Sequence, residues 1–353
     1  MTSHVITDEM REPAACETRD ALSRPLHDLR ISLLDRCNFR CPYCMPETEF
    51  HEDYEFLTRS QRLTHEEILK VAGVATGLGV SKIRLTGGEP LLDKKLPDLV
   101  RGLAALPGVE DLALTTNAML LAPAAAELAD AGLHRVTISL DSLDEQVFKT
   151  MSGGRGDLQT VLNGVNAAEQ AGLSPIKINV VVERGVNDHT VLDLLEHFRG
   201  TGHIVRLIEF MDVGNRNGWR RNQVVPSKEL LAMVQQRWSM RPLDRNYPGE
   251  VARRYQYVDG EGEIGFISSV TEPFCGSCSR ARLSSDGMLY TCLFATQGTD
   301  LREPIRNGVA DEELGDILSR IWLQRADRYS ELRRSDVAEH HALSKVEMYR
   351  IGG

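Results

Sequence analysis

The sequence predicts an α/β fold: an incomplete (β/α)6 TIM-like barrel followed by a smaller C-terminal domain. Two observations carry that reading. Strand-like and helix-like segments alternate between residues 25 and 211, and after Met211 the pattern breaks into short hairpin and loop segments. Serial strand–helix units make a parallel sheet. Six units fall short of the eight of a closed barrel, so the sheet is expected to curve without closing, with functional residues at the C-terminal strand ends.

The strands are expected at Leu29–Leu34, Lys82–Thr86, Asp111–Thr115, Arg135–Leu140, Ile176–Val182 and Val205–Phe210. They are short and rich in Val, Ile and Leu, as parallel strands buried on both faces should be. Thr64–Leu78 opens with T-H-E-E, where Thr64 caps a helix and Glu67 takes its third position. Further helices are expected at Lys94–Leu106, Pro123–Ala131, Leu158–Ala171 and Thr190–Phe198. Gly79, Gly108, Gly132, Gly172 and Gly200 lie at or near their ends. Beyond the Gly214–Gly218 loop, a helix is expected at Ser227–Trp238 and a hairpin joins Arg253–Val258 to Ile264–Ser268. A loop-rich stretch follows at Cys275–Cys292, then a helix at Asp311–Gln324. Residues 1–24 read as a disordered tail, 25–214 as the barrel and 215–353 as the C-terminal domain ending in Gly-Gly.

Composition excludes some classes. The 353 residues are 42% hydrophobic and 26% charged, which rules out global disorder. A net charge of −10 argues against a general nucleic-acid binder. The longest uncharged stretch, Leu112–Ala126, is 15 residues long, too short and too polar to cross a bilayer. The N-terminus has no apolar signal region, so the expectation is a cytoplasmic protein with reduced thiols, with neither nucleic acid nor membrane as partner.

Six of the seven cysteines fall into two groups of three; Cys16 stands apart. Cys37, Cys41 and Cys44 follow the first strand in D-R-C-N-F-R-C-P-Y-C with C-x3-C-x2-C spacing. Structural zinc wants four ligands, and the common ferredoxin spacings also supply four thiolates. Three thiolates can hold three irons of a cubane and leave the fourth open. A zinc site with a borrowed ligand, or an electron-transfer cluster, are the plainer alternatives.

This motif resembles the radical S-adenosylmethionine (SAM) superfamily. The resemblance implies a [4Fe-4S] cluster whose open iron chelates SAM and yields a 5′-deoxyadenosyl radical. It extends to T-G-G-E-P at Thr86–Pro90, to Ser139 in I-S-L-D-S and to Met211 in I-E-F-M. Gly87 and Gly88 leave room for backbone to approach a ligand. The resemblance assigns Tyr43, Gly88, Ser139 and Met211 to SAM. Taken singly, a turn glycine pair, a locally satisfied serine and a core methionine are the ordinary readings.

The second group, Cys275, Cys278 and Cys292, is again three thiolates, in F-C-G-S-C-S-R-A-R. No histidine lies between Cys275 and Cys292; the nearest downstream are His340 and His341. From Pro25 to Gly353 the chain is similar to the GTP 3′,8-cyclase family, which opens molybdenum cofactor biosynthesis. The resemblance implies a second [4Fe-4S] cluster whose open iron meets the guanine of GTP. A triphosphate also needs local positive charge. By resemblance Arg30, Arg84, Thr115, Lys177, Arg280, Ala281 and Arg282 contact GTP; charges on otherwise apolar strands are costly without an anion. Gly352 and Gly353 are then a tail that enters the site. Asn117 is followed by Ala118, where the family usually has glycine, and Met151–Asp157 could hold one extra loop residue.

The implied reaction abstracts hydrogen from C3′ of GTP, bonds C3′ to C8, and adds an electron and a proton to give 3′,8-cyclo-7,8-dihydro-GTP. Implied partners are an electron donor, a second copy in a homodimer, and a downstream cyclic pyranopterin monophosphate synthase. A radical SAM peptide- or haem-modifying enzyme, an iron–sulfur redox sensor and a zinc module are the competing readings.

Overall fold

The computed structural model describes residues 18–333 and 345–352. Six parallel strands run in chain order: β1 (Asp28–Ser32), β2 (Lys82–Thr86), β3 (Asp111–Thr116), β4 (Arg135–Ser139), β5 (Lys177–Val182) and β6 (Ile204–Glu209). The helices between them are α1 (His65–Gly77), α2 (Leu96–Ala104), α3 (Ala125–Asp130), α4 (Glu145–Met151), α5 (Leu158–Gln170) and α6 (Val191–Phe198). Their apolar faces and the outer faces of the strands form one core, with Val71, Leu99, Leu128, Val161 and Leu194 essentially inaccessible.

Local chemistry explains the helix starts. Thr64 Oγ1 accepts from the Glu67 amide (3.2 Å), and the Glu67 carboxylate accepts from the Thr64 amide (2.7 Å). This is the reciprocal box that T-H-E-E encodes. Helix α4, which the sequence reading missed, is capped by Asp144, whose carboxylate accepts from the amides of Gln146 and Val147 at 2.9 Å each.

The C-terminal region supplies α7 (Ser227–Gln235), β7 (Met240–Leu243), β8 (Arg253–Tyr257), β9 (Glu263–Ile267), β10 (Arg280–Leu283), β11 (Met288–Tyr290), β12 (Thr299–Asp300), α8 (Arg302–Arg306), α9 (Asp311–Leu323), α10 (Tyr329–Leu332) and α11 (Met348–Ile351). It continues the same sheet at both edges, in the order β12-β11-β10-β1-β2-β3-β4-β5-β6-β9-β8-β7. β10 lies parallel to β1 and β9 parallel to β6. Thus the second cysteine group is carried to the barrel wall beside the first strand. β7 contains Pro242, which an edge strand tolerates.

The tail expected over 1–24 is corrected in part. Residues 18–24 are packed: Asp20 accepts from Arg24 Nε (2.6 Å) and Arg325 Nη1 (3.1 Å), and all three side chains are buried. Trp322 Nε1 donates to the Arg24 carbonyl (3.0 Å). Cys16, His340, His341 and Gly353 lie outside the described residues.

Candidate active site

The first cysteine group sits on the loop leaving β1. Arg40 pins that loop by donating to the carbonyls of Cys37 (2.8 Å), Phe39 (2.8 Å) and Phe50 (2.7 Å). The amides of Cys44 and Met45 both donate to the Cys41 carbonyl, at 2.9 and 2.8 Å, closing a tight turn. The T-G-G-E-P turn backs this loop. The Gly88 amide donates to the Leu34 carbonyl (2.6 Å) and the Glu89 amide to the Arg36 carbonyl (2.9 Å). A Cβ at Gly88 would collide with the Arg36 carbonyl, and one at Gly87 would lie 2.6 Å from the Leu34 carbonyl oxygen. The glycines therefore admit the close approach of the cysteine loop's own backbone.

Two carboxylates stand behind the loop. Glu89 accepts from Thr116 Oγ1 (2.7 Å) and the Asn117 amide (2.8 Å), yet burial pushes its carboxyl up to about 7. Asp141 accepts from the Tyr43 hydroxyl (2.7 Å) and the Val181 amide (2.8 Å), and burial raises it to about 6. Burial, followed by the Glu89 charge, lifts the Cys37 thiol to about 12; burial likewise raises Cys41 and Cys44. Such thiols become thiolates only beside a soft cation, which a cluster supplies.

In the second group, burial alone would raise Cys278, but Arg280 and Arg325 bring it down to about 6. Arg280 Nη2 lies 3.1 Å from Cys278 Sγ, and the Phe294 amide 3.5 Å from Cys292 Sγ. Burial lifts Cys292 to about 11. Among the described residues no three His, Cys, Asp or Glu side chains converge as a single ion requires. A cubane, where each thiolate takes a different iron, spreads its ligands more widely than a single ion does.

A cleft of about 1230 Å³, counting space open to solvent, fills the barrel. Arg30, Arg84, Lys177, Arg280, Arg282 and Met211 line it, as do Cys275, Cys278 and Cys292. Thr115, Ser139, Tyr43 and Gly88 are not among its lining residues. Ala281 points the other way, into an apolar space with Leu29 and Trp322, because alternate strand residues face opposite sides.

The inner faces are charged, which corrects the expectation of strands apolar on both sides. One register row reads Arg280, Asp28, Lys82, Asp111 across neighbouring strands, with alternating sign. The next reads Arg282, Arg30, Arg84, all cationic. Like charges directly opposite destabilise a sheet. Burial and the neighbouring arginines lower Arg30 well below its usual value and bring Arg282 to about 10. Burial, then Arg84, brings Arg206 to about 9. Burial, then Arg206, Arg135, Arg84 and Lys82, brings Lys177 to about 7. The cleft is built for a polyanion.

The sequence reading missed Lys82, Arg206, Arg325, Asn179 and Tyr247, which also line the cleft. Lys82 is two residues before Arg84 and so shares its face; that period was a usable signal. Arg325 is positioned by Asp20 and the Cys278 carbonyl (2.6 Å), contacts too distant in sequence to foresee. Arg282 Nη1 donates to the Gly352 carbonyl, and Gly352 at φ 70° packs on Thr86. Gly352 therefore lies against Arg282, one of the residues that line the cleft.

Residues 31–198 match the Radical SAM superfamily, and residues 203–331 match Molybdenum Cofactor Synthesis C. A solved structure of Streptococcus suis SuiB bound to S-adenosylmethionine shares the fold, with a TM-score of 0.59 at 13% identity over 88% of this chain and 69% of that one. Fold and cysteine groups thus define a radical SAM protein. A GTP 3′,8-cyclase of Xanthomonas campestris pv. campestris is 52% identical over 340 residues, covering 96% of this chain and 98% of that one. Another, from Acidothermus cellulolyticus, is 51% identical over 357 residues, covering 95% and 99%. The chain belongs to the GTP 3′,8-cyclase family. Among the described residues no helix is long and apolar enough to cross a membrane.

Proposed function

We propose that this chain cyclises GTP to (8S)-3′,8-cyclo-7,8-dihydro-GTP, the first step of molybdenum cofactor biosynthesis. The observation that carries the reading is the uncompensated Arg282–Arg30–Arg84 row, in the same cleft as a three-cysteine group. Cys37, Cys41 and Cys44 would hold one [4Fe-4S] cluster with SAM, and Cys275, Cys278 and Cys292 a second, toward the guanine. When bound, the first cluster and SAM would supply the one-electron chemistry that removes hydrogen from C3′ of GTP.

The chain's own residues bind, orient and exclude water. Arg30, Arg84, Arg282, Lys177 and Arg206 anchor the triphosphate, so that the ribose is held in one place. The Thr115 hydroxyl, buried with no partner among the described residues, offers a further hydrogen bond. Met211, with Ile208, Ala252 and Ile267 around it, keeps part of the wall apolar, on the side assigned to the adenine. Tyr43, Gly88 and Ser139 belong to the SAM side. This reading brings with it an external electron donor, a homodimer and a cyclic pyranopterin monophosphate synthase that consumes the product.

Cysteine variants test it. Cys278→Ser is expected to lose about half the iron and all GTP cyclisation while retaining reductive cleavage of SAM to 5′-deoxyadenosine. Cys41→Ser is expected to lose both activities. Cyclised nucleotide from Cys278→Ser at the wild-type rate would overturn the assignment.

A further inference from the structure

The loop leaving β6 carries one carboxylate that gathers segments far apart in sequence. Asp212 directly follows Met211. It accepts from the Tyr329 hydroxyl (2.7 Å), the Lys345 ammonium (2.9 Å) and the Arg333 guanidinium. Lys345 Nζ also donates to the Asp212 carbonyl (2.8 Å), and Arg333 Nη2 to the Ser269 carbonyl (2.7 Å). The side chains of Arg333, Lys345 and Asp212 are 9%, 4% and 5% exposed. Two buried cations therefore share one carboxylate. Among the described residues no second carboxylate lies within ion-pair distance of either. The stacked rings of Phe294 and Tyr329, 4.5 Å apart, take the remaining positive charge on their faces.

From Lys345 the chain runs directly to the cleft. The Val346 amide donates to the Ala295 carbonyl (2.9 Å), Asn215 Nδ2 to the Lys345 carbonyl (2.6 Å) and Arg350 Nη2 to Asp286 (2.7 Å). Seven residues after Lys345, the Gly352 carbonyl meets Arg282, a member of the all-cationic row.

We infer that Asp212 is a positioning residue that latches the segment 345–352, and through it sets Gly352 against Arg282. The catalytic consequence rests on the cyclase reading; the latch itself does not. Arg333 directly follows α10 and cannot easily withdraw. Lys345 belongs to no helix or strand, so it is the cation that leaves when the carboxylate is neutralised. The shared backbone at 211–212 joins this latch to the side assigned to the SAM adenine.

Hydrogen exchange of the whole chain tests the latch without turnover. In Asp212→Asn, the amides of Val346 and Arg350 are expected to exchange about tenfold faster, with β3 and β4 unchanged. Asp212→Glu is expected to restore part of that protection. Should Asp212→Asn not fold, Lys345→Met leaves a one-to-one Arg333–Asp212 pair and is expected to free the same amides. Unchanged exchange in the folded variant overturns the inference. For turnover, removing Gly352 and Gly353 is expected to lower kcat, and Asp212→Asn to add no further loss in that background. A multiplied loss would mark Asp212 as a general stabiliser instead. Faster exchange in a chain whose wild type forms no cyclised nucleotide would sink the cyclase reading and leave the latch standing.

Discussion

Lys177 gives the sharpest test of the anion pocket. It opens β5 in a cleft that also holds Arg84 and Arg206, and burial with those charges takes its pKa from 10.5 to about 7. In the ligand-free protein the ammonium therefore loses its proton as pH rises through about 7. A polyanion beside it returns the pKa toward 10.5, so binding above pH 7 takes up a proton. At about pH 8, roughly nine-tenths of the free protein is neutral at Lys177, and GTP binding should absorb about 0.9 proton. Affinity should then fall about tenfold per pH unit above about 7, until the bound pKa is reached. Calorimetric titration with GTP in two buffers of different ionisation enthalpy reads the uptake directly. Stability runs in the opposite sense. In the empty site the penalty on Lys177 is full below about pH 7 and fades as pH rises toward the unfolded value of 10.5. Lys177→Met should accordingly stabilise the ligand-free protein by roughly 3–5 kcal/mol near neutral pH while abolishing the proton uptake. No uptake at pH 8, or a less stable Lys177→Met, would refute the reasoning.

Substitutions at two positions near the first cysteine group have different expected outcomes. Gly88→Ala places a methyl against the Arg36 carbonyl, which is backbone and cannot swing aside. It should cost about 2–4 kcal/mol and lose the iron of the first group only, about half the total on anaerobic reconstitution; full iron loading would contradict this. Ala118 is fully buried at φ 63°, a conformation that costs an alanine about 1 kcal/mol. Ala118→Gly relieves that strain but removes a buried methyl worth about 0.8 kcal/mol, so chemical denaturation should find a net change within about 1 kcal/mol. Ala118→Val, which adds branching where Gly164 packs closely, should cost about 3 kcal/mol.

What was legible follows from how local the signal is. The thiol groups, the capping box at Thr64 and the hairpin over 253–267 are written in neighbouring residues. Arg30, Arg84 and Lys177 stood out because a charge on an apolar strand is conspicuous. Lys82 and Arg206 carry the same signal, but treating both strand faces as buried and apolar hid it. The docking of residues 18–24 was not legible, because Asp20 meets Arg325 across 305 positions of sequence. Nor was the placement of β10 beside β1, a pairing whose turn chemistry lies nowhere near either strand.

The two charge rows of the barrel explain how an acidic chain builds a site for a nucleoside triphosphate. In the row at the strand starts, Arg280, Asp28, Lys82 and Asp111 alternate in sign, and Arg135, opposite Ala113 on the next row, reaches back to hold Asp111 with two bonds of 2.8 and 2.6 Å. That row is self-neutralising and can stabilise the sheet without a ligand. Two residues along, on the same face, the same strands present Arg282, Arg30 and Arg84 with no carboxylate between them. Fold stability and ligand charge are thus separated by two residues along each strand. Adding a carboxylate to the second row, for instance Ala113→Asp beside Arg84, should stabilise the empty protein and weaken GTP by occupying the very charges the triphosphate needs. Were Ala113→Asp to leave GTP affinity unchanged, the second row would not be the phosphate site, and the positive charge of the cleft would need another purpose.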